Sequence, residues 1–242
     1  LFKHNQQEST TMYNEGFNDL ENTIFEKNVD PNELHFSDEP IILEEATLMK
    51  FVIRIPSIFY GYKVIKFIGK GSCAVVALVQ MMHTGKKFAA KILSIEEMER
   101  MHLSNSIKQE IQILRSFNHP NILKYYDSFS IQIDDGKEIF VIITEFCEGG
   151  NLAELIEKNG INSQNIKRIL KGIVRALYYT HLRRISHCDL KPDNILLDPD
   201  FNPILSDFGF ATDSKLTTKT QCTLNYASPE LIAQNGPYSP MI

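Results

Sequence analysis

Three places in this 242-residue chain combine residue type and spacing in a way that could do chemistry. The first is Gly69-x-Gly71-x-x-Ala74, set between two strand-like runs. Glycines there let backbone amides approach phosphate oxygens that side chains would keep away. A hairpin can use glycines merely to turn, but the dinucleotide fingerprint is excluded because a strand, not a helix, follows. The second is Phe88-Ala89-Ala90-Lys91, where a lysine alternates with small apolar residues and is costly to place without a partner. Glu110 lies 19 residues on, in a helical stretch, and could pair with Lys91 and leave its ammonium facing phosphates; ordinary surface residues are the competing reading. The third is His187–Leu197, which gathers Asp189, Lys191, Asp193 and Asn194 into one short loop. Asp207-Phe208-Gly209 begins 18 residues after Asp189, and Tyr226-Ala227-Ser228-Pro229-Glu230 follows.

These residues need elements to hold them. Alternation and β-branched or aromatic content predict strands over Tyr62–Ile68, Val75–Val79 and Lys87–Leu93, with a turn at His83-Thr84-Gly85. Glu96–Phe117 has helical spacing, with Ile107, Ile111 and Leu114 on one face. Two more strands, Leu123–Ile131 and Ile139–Phe146, flank Asp134-Asp135-Gly136. Beyond Gly149-Gly150 the pattern turns helical over Leu152–Lys158 and Ser163–Arg183. Strands first and helices afterwards indicate an α+β protein with two lobes.

Composition narrows the classes. Residues 1–57 hold 11 Asp/Glu against 4 Lys/Arg, whereas residues 58–242 hold 19 against 21. The acidic excess therefore sits in the first segment, and the remainder makes no polybasic case for nucleic acid. That segment is polar and expected to be largely disordered, with one short helix near Leu43–Phe51. Phe51–Ile55 is the part able to add a strand. No apolar run approaches the roughly 18 residues of a membrane helix, so no membrane partner is expected. No secretory signal opens the chain. Its first residue is Leu1, so a start that is missing or processed away is expected. Cys73, Cys147, Cys188 and Cys222 are far apart, which predicts reduced thiols and a cytoplasmic setting rather than zinc or disulfides.

The ordered set of glycine turn, Lys91, the 187–197 loop, Asp207-Phe208-Gly209 and Tyr226–Glu230 resembles the eukaryotic-type serine/threonine protein kinases. The resemblance implies a bilobal protein kinase fold: an N-lobe over 58–144, a hinge over 145–150 and a C-lobe over 151–242, incomplete at its C-terminus. It implies transfer of the ATP γ-phosphate to Ser or Thr hydroxyls of protein substrates, with Mg²⁺. By position, Asp189 orients the hydroxyl, Lys191 faces the γ-phosphate and Thr223 braces Asp189. Asn194 and Asp207 hold Mg²⁺, and Lys91 paired with Glu110 meets the α- and β-phosphates. Ile68, Gly69, Lys70, Gly71, Ser72 and Ala74 form the loop over the phosphates. Val76, Ala89 and Leu196 sandwich the adenine, the backbone of Glu145, Phe146 and Cys147 meets its edge, and Thr144 guards the rear pocket. Leu114, Tyr125, His187 and Phe208 stack into an aligning column.

The sequence departs from the family pattern at several points. Cys188 replaces an arginine that usually binds a phosphate on the activation segment, so control through that contact is not expected. Asn151 replaces a glutamate common in basic-directed kinases, and Ser228 replaces Ala. The stretch Gly149-Gly150-Asn151-Leu152 and the segment Thr223–Glu230 look closest to the calcium/calmodulin-dependent group. Two other classes compete with the enzyme. A pseudokinase or scaffold is opposed by the presence of Lys91, Glu110, Asp189, Asn194 and Asp207. A small-molecule kinase is opposed by Lys191-Pro192-Asp193-Asn194.

Overall fold

The computed structural model describes residues 35–36, 41–42, 52–53, 55–70, 74–133, 136–159, 161–212, 223–227, 229 and 232. The expected helix at Leu43–Phe51, and Gly71, Ser72, Ser228 and Glu230, lie outside them. The chain divides into two compact units, one of residues 1–101 with 127–143 and the other of residues 102–126 with 144–242.

The first unit is built on a sheet. In chain order the strands are β1 (His35–Phe36), β2 (Ile41–Ile42), β3 (Val52–Ile53), β4 (Pro56–Phe59), β5 (Tyr62–Lys70), β6 (Ala74–Met81), β7 (Lys87–Ser94), β8 (Tyr125–Gln132) and β9 (Glu138–Glu145). Seven of them form one sheet in the order β1-β4-β5-β6-β7-β9-β8, and β2 pairs separately with β3. Strands β5, β6 and β7 are the three runs expected from alternation, and their antiparallel register places Val76 opposite Lys91 and Ala77 opposite Ala90. Strand β4 reaches into the stretch assigned to the acidic extension: Phe59 is fully buried and Ile55 nearly so. Its turn into β5 uses Tyr60 and Gly61, both at positive φ (47° and 76°), the conformation a two-residue hairpin requires. Phe59 and Tyr60 then meet Phe129 at ring distances of 6.1 and 4.3 Å, tying the start of the sheet to β8.

The helical run expected over Glu96–Phe117 is two helices, α1 (Ile95–Arg100) and α2 (Ser104–Ser116). Ser94 caps the first, accepting from the Glu97 amide at 3.4 Å, and His102 at φ 56° separates them. A non-glycine residue in that region cannot continue a right-handed helix.

The second unit contains α2, α3 (Leu152–Asn159), α4 (Ser163–Leu182) and the hairpin β10 (Ile195–Leu197)–β11 (Pro203–Leu205). Asn162 caps α4 by accepting from the Asn165 amide at 2.8 Å. The buried face of α4, Ile169, Ile173, Ala176 and Thr180, follows helical spacing. Ile169, Ile173 and Ala176 join a core with Leu114, Phe117, Leu152, Leu197 and Phe208. At Gly172 a Cβ would stand 2.3 Å from Cγ of Pro203, so the helix rests on β11 where it has no side chain.

Candidate active site

The β10–β11 hairpin sets the geometry. Its register pairs Ile195 with Leu205, and one step further the Ser206 amide donates to the Asn194 carbonyl at 2.9 Å. Asn194 and Asp207 thereby reach the same end of the hairpin. Asp207 has φ 60°, a left-handed conformation that Asp tolerates better than bulkier residues. The next residue, Phe208, is buried against His187 and Phe117, with ring centroids 4.8 and 5.3 Å away. Leu114 shares that core and Tyr125 packs on it, so the four residues expected to form a column occupy one apolar cluster with its buried histidine.

Asp189 is the most constrained polar group. Its Oδ1 accepts from the Thr223 hydroxyl at 2.7 Å and the Thr223 amide at 3.2 Å. Its Oδ2 accepts from Asn194 Nδ2 at 2.9 Å and pairs with Lys191 Nζ at 2.9 Å. Lys191 also donates to the Thr223 hydroxyl at 2.7 Å. Burial alone would push the Asp189 carboxyl up, but Lys191, Thr223 and Asn194 together hold it below the ordinary carboxylate value. The side-chain amide of Asn194 also donates to the Asp189 carbonyl at 2.9 Å. With both amide protons turned to Asp189, the Asn194 Oδ1 has no partner among the described residues, and neither does the Asp207 carboxylate. Oxygen donors of this kind, at the same end of the hairpin, are of the type a hard divalent cation such as Mg²⁺ takes.

Glu110 is buried on α2 and approaches the same triplet: a Cβ on Gly209 would lie 3.3 Å from Asp207 Oδ1 and 3.8 Å from Glu110 Oε2. Thr144 is buried at the end of β9. The Glu145 side chain accepts from the Lys124 amide at 2.7 Å. Burial, then Glu145 and Asp198, push the Cys147 thiol up to about 12, so it stays protonated. Gly149 has Leu197 and Asp198 carbonyls 2.7 Å from where a Cβ would be, and its amide bonds Leu197 at 2.9 Å. This close approach sets Leu196 beside Asn151, with which it bridges. Cys188 stands at φ 64° with its thiol 3.5 Å from the Ser186 carbonyl.

In the first unit the register puts Gly69 opposite Val76, and Val76 opposite Lys91. Directly opposed residues share a face, as do residues two apart on a strand. Gly69, Val76, Ala89 and Lys91 therefore line one face of the sheet, with Ile68 and Lys70 at the end of β5 and Ala74 at the start of β6. A Cβ on Gly69 would meet Val76 at an ordinary 3.5 Å, so packing within the protein does not demand glycine there. Lys91 and Glu110 belong to different units. The motifs gave no sign of Ser206 or Asn121, whose side-chain amide bonds the Pro203 carbonyl at 2.8 Å across 82 residues.

Residues 62–242 match the model of the protein kinase domain. The chain is 36% identical over 181 residues to a carbon catabolite-derepressing protein kinase of Secale cereale, covering 72% of this chain and 35% of that protein. It is 33% identical over 177 residues to the protein of that name in Candida glabrata, with shares of 72% and 28%. A serine/threonine protein kinase OSK3 of Oryza sativa subsp. indica is 35% identical over 178 residues, with shares of 72% and 34%. The chain thus spans about a third of the length of these curated relatives. The family match opens at Tyr62, the first residue of β5, and takes in every element from there on; the α+β fold is that of the protein kinases, and the chain belongs to the protein kinase family.

Proposed function

We propose that the chain carries the catalytic core of an ATP- and Mg²⁺-dependent protein serine/threonine kinase, over residues 58–242. The observation that carries this reading is the Asp189 carboxylate, fixed by Thr223, Asn194 and Lys191 while kept ionised. Such a group accepts a hydrogen bond from an incoming Ser or Thr hydroxyl and aims it without forming a covalent intermediate. Lys191, which bridges Asp189 and Thr223, would turn its ammonium toward a γ-phosphate. Asn194 Oδ1 and the Asp207 carboxylate are the groups that hold Mg²⁺, which when bound offsets charge between the phosphates. Lys91, paired with Glu110, would meet the α- and β-phosphates. The turn from Ile68 to Ala74, including Gly69, Lys70, Gly71 and Ser72, would cover them. Val76, Ala89 and Leu196 would enclose the adenine, with Thr144 behind it and the Glu145–Cys147 backbone at its edge. The names of the relatives, two carbon catabolite-derepressing protein kinases and a serine/threonine protein kinase, support this activity and protein substrates.

The test is transfer of labelled γ-phosphate to a mixed Ser/Thr/Tyr peptide library with Mg²⁺. Asp189→Asn should lower transfer to Ser/Thr peptides by about 10²- to 10⁴-fold. Nucleotide binding without transfer in the parent chain would favour a scaffold instead.

A further inference from the structure

One buried residue touches both halves of the cation-holding pair and belongs to neither motif. Ser206 donates twice to the Asn194 carbonyl, from its amide at 2.9 Å and from its hydroxyl at 3.0 Å. Its own carbonyl accepts from His187 Nε2 at 2.8 Å, and Asp207 is its neighbour in the chain. The amide bond continues the β10–β11 ladder and would form with any residue but proline. The hydroxyl bond is different, because only Ser or Thr supplies it to the second lone pair of the buried carbonyl.

Resting on the reading of Asn194 and Asp207 as holders of the cation, we propose that the Ser206 hydroxyl is a positioning group for them. The Asn194 peptide is pinned at its carbonyl by Ser206, and its side chain is pinned at Nδ2 by Asp189. Only Oδ1 is left to point toward a cation. His187 anchors Ser206 from the core side, so the peptide leading into Asp207 is held at the same time.

The experiment is Mn²⁺ binding to the 242-residue chain, read by electron paramagnetic resonance in the presence of a non-hydrolysable ATP analogue. Ser206→Ala should weaken Mn²⁺ about three- to tenfold, and Ser206→Thr should return it to within about twofold of the parent. Analogue binding measured without metal should be unchanged in both. Mn²⁺ affinity in Ser206→Ala within about twofold of the parent, whatever its melting temperature, overturns the proposal. Equal weakening in both variants also overturns it, since the hydroxyl is then not the cause. Failure of the parent chain to bind Mn²⁺ with the analogue strikes the kinase reading itself, and is distinct from either result.

Discussion

His187 has its protonation state written into its neighbours. The Ser206 carbonyl can only accept, so the 2.8 Å contact requires a proton on Nε2. The Asp189 amide donates to Nδ1 at 3.2 Å, so that nitrogen carries none. The ring is neutral, and protonating Nδ1 would break the bond it accepts from the Asp189 amide. Burial, the largest influence, and Lys191 push its pKa down, against the Ser206 bond, Asp207 and Asp189, which push it up; burial prevails. In the unfolded chain a histidine takes a proton near pH 6.5, whereas the folded one refuses it until a lower pH. Stability should therefore fall as pH drops below about 6.5, down to the folded value. Urea midpoints measured from about pH 7 to pH 5 should decline less steeply in His187→Phe than in the parent. Parallel slopes would show that another group carries the dependence. The Asp189 carboxyl is also held below its ordinary value, which here favours the charged form, because its donors outweigh burial. Lys191→Met removes one donor, so the Asp189 carboxyl should titrate at higher pH, a shift that ¹³C NMR of the labelled side chain reads directly.

Among the elements, the contact of α4 with β11 is the one most sensitive to a single atom. At Gly172 an added Cβ would lie 2.3 and 2.8 Å from two ring carbons of Pro203 and 2.9 Å from Asn121 Nδ2. A proline ring cannot swing aside, so Gly172→Ala must move the helix or the hairpin. Such overpacking costs about 1–3 kcal/mol. Alanine returns about 1 kcal/mol of helix propensity, so with a rigid ring as the obstacle the net loss is up to about 2 kcal/mol. Thermal unfolding of Gly172→Ala should show a lower midpoint; a higher one would mean that helix and hairpin separate freely. Read from the sequence alone, an interior helix glycine registers only as a propensity cost, and its partner lies 31 residues away. The elements with strong period were legible: β5, β6 and β7 by alternation, and α4 by its apolar face. The break between α1 and α2 was not, because His102 takes a left-handed conformation without the glycine that normally announces one. At the site, Asp189, Lys191, Asn194 and Asp207 stood out by residue type and spacing, and the structure joins Asp189 to Lys191 and Asn194. Ser206 was hidden, since a serine beside a motif looks the same whether or not it bonds a carbonyl 12 residues earlier.

At the scale of the molecule, the outer side of α4 stands apart. Ile166, Leu170, Val174, Tyr178 and Leu182 recur every four residues and are 42–66% exposed. Residues four apart form one continuous ridge on a helix, so these side chains present a single apolar strip rather than scattered contacts with water. Lys167, Lys171 and Arg175 follow three of them in the chain and are also exposed. A strip of this kind is an association and dye-binding liability in water. Its origin separates it from a charge effect. Attraction between the acidic residues 1–57 and the cations of α4 would weaken as salt screens it. Association through the apolar ridge would persist, and sulfate would strengthen it. The chain should therefore bind an anilinonaphthalene-type dye and scatter more light as its concentration rises, and added sulfate should increase the scattering. Leu170→Gln with Val174→Gln should reduce both signals. Its melting temperature should change little, because neither side chain is part of the core. Dye binding and scattering unchanged in the double variant would assign them to another surface.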